Sequence, residues 1–195
     1  MPKRSNNPIA RNCVKNNCIS AKNTDMSQIL IAPFDKPADE ITLLFSYFLH
    51  KSPDITSVHS SEIPVLLHST LFAQMMESSH FKYKKFCWPN AQIQKELDQG
   101  NLSGDVLCLK CKRFVCKRKQ WQKGQPIETD FDCFLRHIRN SIAHGSVYYL
   151  HSERKTHIMF EDHNKSSNIS ARIVCVKNDL IQWKRILERH KKDNV

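Results

Sequence analysis

Between residues 35 and 145 apolar residues recur mostly every three or four positions, which predicts helices; after Gly145 they alternate, which predicts strands. Ile41, Leu44, Phe45, Phe48 and Leu49 mark a first helix, with Pro37 suited to its opening turn and Pro53 in the segment that ends it. Ser60 and Ser61 offer caps for a second helix. Its apolar side is Val65, Leu66, Phe72, Met75 and Met76, and it runs to about Phe86, where "CWPN" breaks it. Asn90 and Gly100 bracket a short helix over 91–99. The stretch "GDVLCLKCKRFVCKRKQWQKGQP" fits either a helix or an irregular loop. Thr129 and Asp132 form a capping box for the next helix. "THIMFED" and "ISARIVCV" then alternate around the turn-like "HNKSSN", a hairpin with Ile158 and Phe160 on one strand and Ala171, Ile173 and Cys175 on the other. Asn178 caps a last helix with Leu180, Trp183 and Leu187 inward. The expected architecture is mainly α, a helical bundle with a β-hairpin before the C-terminal helix.

Length fits this picture, since 195 residues with 40% apolar content support one domain with a real core. Residues 1–22 are polar, basic and Asn-rich and read as a flexible arm or a single edge strand; 23–195 read as a single domain. Four glycines disfavour a β-sandwich or a glycine-rich phosphate loop. The formal net charge of +11 favours a polyanionic partner. No apolar run approaches the roughly 20 residues that span a bilayer. The basic N-terminus is not followed by the apolar core of a secretory signal. A cytoplasmic location, no membrane association and mostly free thiols among the eight cysteines are therefore expected.

The helix after Thr129 changes the picture most. At about 100° per residue, Phe131, Phe134, Leu135, Ile138 and Ile142 form a stripe wide enough to face a core. Asp132, Arg136, Arg139, Asn140 and His144 lie on the other side, so none of them is needed to fill space. Asn140 and His144 are surface neighbours, one turn apart. Arginine suits phosphate oxygens and histidine moves protons near neutrality. Such a side can bind an RNA backbone and activate or protonate a ribose oxygen. Arg–x4–His spacing alone is a weak signal, with about half a match expected by chance. Arg185 and His190 repeat it near the charged C-terminus.

The wider context is more specific. "RHIRNSIAHG" strongly resembles the signature of HEPN domains: an arginine, a polar residue, three more residues and a histidine. Arg139, Asn140 and His144 match these positions. The hairpin with "MFED" and "SARI" and the following "LIQWKRIL" extend the likeness to bacterial and plasmid-borne HEPN proteins over about 128–188. The resemblance implies an α-helical, usually dimeric protein and a metal-independent endoribonuclease, with no cofactor. It implies a toxin or phage-defence role and a possible antitoxin partner. In the implied site the motifs of two protomers face each other, His144 transfers protons, Arg139 offsets phosphorane charge, and Asn140 orients His144 or the phosphate. Arg136 is assigned to substrate binding. The alternative is a non-catalytic RNA-binding or regulatory HEPN module. HEPN toxins silenced on a tyrosine carry it two places after the motif histidine; Ser146 stands there, with Tyr148 and Tyr149 beyond.

Two further features carry chemistry. Lys112, Arg113, Lys117, Arg118 and Lys119, with Trp121, could follow an RNA backbone and stack a base. Cys108, Cys111 and Cys116 include a CxxC spacing that suits zinc, but no fourth ligand is evident and buried thiols are the favoured expectation.

Overall fold

The computed structural model describes residues 40–50, 63–88, 93–103, 111–119, 128–151 and 156–192. The elements run α1 (Glu40–His50), α2 (Val65–Ser79), β1 (Tyr83–Cys87), α3 (Ile93–Gln99), β2 (Arg113–Lys117), α4 (Asp130–Ala143), β3 (Val147–His151), β4 (Thr156–His163), β5 (Ile169–Val176) and α5 (Lys177–Lys192). The expected arm at 1–22 lies outside the described residues.

The expectation of a mainly α bundle is overturned. Five strands form one mixed sheet in the order β1-β2-β5-β4-β3. β1 and β2 pair in parallel and all other pairs are antiparallel. The hairpin β4–β5 is therefore the middle of a sheet and not an appendage to a bundle. The helix read through Phe86 stops at Ser79, because His80 turns left-handed (φ 51°) and the chain then extends into β1. The ambiguous basic stretch contains β2, whose Arg113 to Cys116 are all buried.

Alternation along the central strands sorts two layers. Phe114, Cys116, Ile158, Phe160, Ala171, Ile173 and Cys175 face α1, α2, α4 and α5 and join the main core. Val115, Met159 and Val174 face the other way and pack with Leu97 of α3 and with Leu102 in a smaller cluster. Trp183 of α5 is fully buried among Phe48, Phe81 and Phe134, and its indole N–H donates to Ser79 Oγ at 2.7 Å. At the start of α2, Val65 and Leu66 are 69% and 89% exposed, contrary to the expected apolar side. The inward residues of that helix are Leu71, Met75 and Met76.

Candidate functional site

Helix α4 carries the candidate chemistry, and both of its ends are fixed by local sequence. The Thr129–Asp132 capping box is formed, with each residue's side chain serving the other's backbone N–H. His68 of α2 adds to it: its Nδ1 lies 3.2 Å from Asp132 Oδ2 and its ring packs on Phe131. The five stripe residues are all buried. At the other end, Ser146 N–H donates to Ser141 O at 2.8 Å and Gly145 N–H to Ile142 O at 3.1 Å, the double closure of a Schellman motif. Gly145 supplies the required left-handed turn at φ 67°, and a Cβ there would meet nothing within 4 Å. Gly145→Ala should therefore cost about 1–2 kcal/mol through backbone strain alone; denaturant unfolding checks it, and an unchanged midpoint would show that the turn is not needed.

The polar side of α4 is not a solvent face over its whole length. Asp132, Arg136 and His137 are 4%, 9% and 1% exposed. Arg136 makes a two-pronged ion pair with Glu128, Nε to Oε1 at 2.5 Å and Nη2 to Oε2 at 3.1 Å, and Nη2 also donates to Lys117 O. Burial pushes the Glu128 carboxyl up, but the hydrogen bonds and charge of Arg136 outweigh this and hold it below its ordinary value. His137 places Nδ1 2.6 Å from Asp162 Oδ2 and Nε2 2.7 Å from Lys117 O. Burial lowers the His137 pKa against the pull of Asp162. Burial likewise works against the Asp162 carboxylate, yet His137, Asn140 and Arg136 together keep its pKa below the usual range. Asp132, Arg136 and His137 are thus each hydrogen-bonded where they are buried, to His68 and Thr129, to Glu128 and Lys117 O, and to Asp162 and Lys117 O.

Beyond that network the motif residues come toward the surface. Arg139 and Asn140 are half-buried and His144 is exposed. Asn140 Nδ2 donates to Asp162 Oδ2 at 3.2 Å. His144 is the C-cap of α4, with φ −93° and ψ 2°, and its backbone N–H donates to Asn140 O. An exposed imidazole thus stands at the end of the helix, one turn beyond a fixed amide and five residues beyond an arginine. The family model described as HEPN pEK499 p136 matches residues 55–192, more than two thirds of the chain and all of α4. The chain belongs to this HEPN family. No curated protein and no solved structure matches it. The HEPN domain is of a bacterial plasmid-borne type, and membership points to a nuclease or RNA-related role. HEPN domains commonly work as dimers and act on RNA. Among the described residues no helix is long and apolar enough to cross a membrane.

The other sequence-selected residues of this HEPN domain are dispersed. Arg113 is fully buried, where its Nη1 donates to Gly100 O at 2.7 Å and its Nε to Cys111 O. Arg113 and Arg136 therefore sit inside the fold, out of reach of a phosphate backbone, which corrects their expected surface role. Lys112 is paired with Asp179 at 3.0 Å. Lys117 contributes its carbonyl to α4. Arg118 pairs with Asp130 and lies 5.3 Å and 5.2 Å from the ring centres of Phe86 and Trp88. Lys119 is exposed. Trp121 and Cys108 lie outside the described residues. Cys111 and Cys116 are buried, and burial pushes the Cys116 thiol up. Among the described residues no three His, Cys, Asp or Glu side chains gather as metal ligands.

Sequence reasoning passed over Asp162. Its signal was present: in "IMFED" it takes the inward slot two places after Phe160 and four after Ile158, where an apolar residue belongs. A carboxylate at that slot is 3% exposed and meets the motif helix.

Proposed function

We propose that the protein is an endoribonuclease that needs no metal and acts as a homodimer, with Arg139, Asn140 and His144 of two protomers around one RNA strand. The observation that carries this reading is the exposed His144 held by the closed turn at the end of α4, one helical turn from an anchored Asn140. On a helix Arg139 and His144 stand about 140° apart, too far round to grip one phosphate tightly alone. A two-fold related copy brings a second pair to the opposite side of a shared groove.

In this reading His144 of one protomer takes the proton of a ribose 2′-hydroxyl, whose oxygen attacks the adjacent phosphorus. The 2′-oxygen–phosphorus bond forms, the bond to the 5′-oxygen breaks, and the second protomer's histidine returns a proton to the leaving oxygen. The products are a 2′,3′-cyclic phosphate and a 5′-hydroxyl end. Arg139 offsets the charge that builds on the phosphorane. The net charge of +11 draws RNA to the surface. Exposed Lys119 and the Arg118–Trp88 pair, whose indole is 64% exposed, offer backbone and base contacts.

The test is cleavage of a fluorescent RNA in excess EDTA, beside the same RNA carrying 2′-O-methyl groups. Cutting of the first alone, with cyclic phosphate ends, is expected. Binding without cutting of either would assign the protein to the non-catalytic RNA-binding class instead.

A further inference from the structure

Asp162 lies on β4, outside the motif and outside α4, yet its carboxylate meets two groups of that helix. Oδ2 is 2.6 Å from His137 Nδ1 and 3.2 Å from Asn140 Nδ2. Oδ1 is buried and has no hydrogen-bond partner among the described residues. A buried carboxylate oxygen without a donor costs stability. Packing alone would favour an apolar residue at this inward strand position, like Ile158 and Phe160 before it. The strand is also irregular here. The β4–β5 register shifts between Asp162 and His163, a device that re-aims a side chain.

The consequence for Asn140 is geometric. Only the amide nitrogen can face a carboxylate, so Asp162 settles which way round the Asn140 amide stands. With Nδ2 turned inward, Oδ1 is on the other arm, and among the described residues nothing donates to it. His144 is the next residue along the same face. What Asn140 shows to the groove is then an acceptor, which repels phosphate oxygens and suits a hydroxyl. We infer that Asp162 is a positioning residue that locks Asn140 so that its Oδ1 accepts a hydrogen bond from a ribose hydroxyl adjoining the one that His144 deprotonates. This rests on the ribonuclease reading for its substrate, though not for the Asp162–Asn140 lock itself.

Two sets of measurements separate those parts. The side-chain amide of Asn140, followed by nitrogen-15 NMR, should shift and exchange faster in Asp162→Asn than in the wild type. An unchanged amide would overturn the lock whether or not the protein cuts RNA. In cleavage assays Asp162→Asn should lower kcat by about 10- to 100-fold through misplacement, with KM within about twofold. The double variant Asp162→Asn/Asn140→Ala should be no slower than Asn140→Ala alone; additive losses would show a separate structural role. Asn140→Asp probes the acceptor without touching β4. Two carboxylates this close share a proton at low pH. That proton restores the bond to Asp162 and leaves an oxygen outward. Its rate relative to wild type at the same pH should rise as pH falls, and a ratio flat with pH would overturn the acceptor assignment. A wild-type protein that cuts no RNA would remove the ribonuclease reading and leave the amide spectrum to decide the lock.

Discussion

His144→Ala is expected to slow RNA cleavage by about 10²- to 10⁴-fold, the usual contribution of a positioned proton-transfer group. Its thermal midpoint should stay within roughly 2 °C of wild type, as for other surface changes. The separation is possible because of where the residue sits. The side chain is exposed, and its contribution to the fold is the backbone N–H that closes α4 on Asn140 O. Alanine keeps that N–H. RNA affinity, measured by fluorescence anisotropy, should change little, since the basic surface is untouched. Cleavage at the wild-type rate by the purified variant would remove His144 from the chemistry.

Glu128→Gln should act in the opposite way, on stability. Arg136 and Glu128 side chains are only 10% and 8% exposed. Removing one charge leaves a buried guanidinium without its counter-ion, a change that costs about 3–5 kcal/mol. For a domain of this size that corresponds to a fall in Tm of roughly 6–20 °C. Replacing both residues by apolar ones of similar volume should recover most of the loss, because the penalty lies in the unpaired charge. The pH dependence follows from the lowered Glu128 pKa. The folded value lies below the unfolded one, so the stabilisation is complete above the ordinary carboxylate range of about 4.3 and is lost as pH falls through the lowered value. Asp162 shifts in the same direction. Thermal unfolding from pH 7 down to pH 3 should show the wild type losing more stability than Glu128→Gln below about pH 4.5; parallel curves would mean that Glu128 takes up its proton at the same pH folded and unfolded.

The parts of this fold that could be read from the sequence are those with strong local signals. The Thr129–Asp132 box, the apolar stripe of α4, the 156–176 alternation and the inward face of α5 each satisfy one period or one cap, and such signals need no knowledge of the rest of the chain. β1 and β2 were hidden for a physical reason. Lys84 and Lys85 of "YKKFC" are exposed, and Arg113 in "RFVCK" is buried with the Gly100 and Cys111 carbonyls beside it. Neither strand alternates cleanly. The α4 network shows the same limit. Arg136 and His137 look like surface groups until Glu128, the Lys117 carbonyl and Asp162 are brought to them from elsewhere in the chain. The motif positions themselves were legible, because Asn140 and His144 one turn apart need only the helix. The partner that holds Asn140 was not, because a period-2 pattern records that Asp162 points inward without recording what it meets.

The strand order has a consequence for synthesis. β5 is the last strand made, yet it alone joins β1–β2 to β3–β4. A nascent chain that has emerged only as far as α4 has its motif but neither β4 nor β5. Asp162 is then not yet available to Asn140, and β2 has no antiparallel neighbour. Because domains fold as units and distant pairings wait for loop closure, the central ladder can be completed only after residue 176 has left the ribosome. On the ribonuclease reading, the translating ribosome carries an incomplete cutting site until that point.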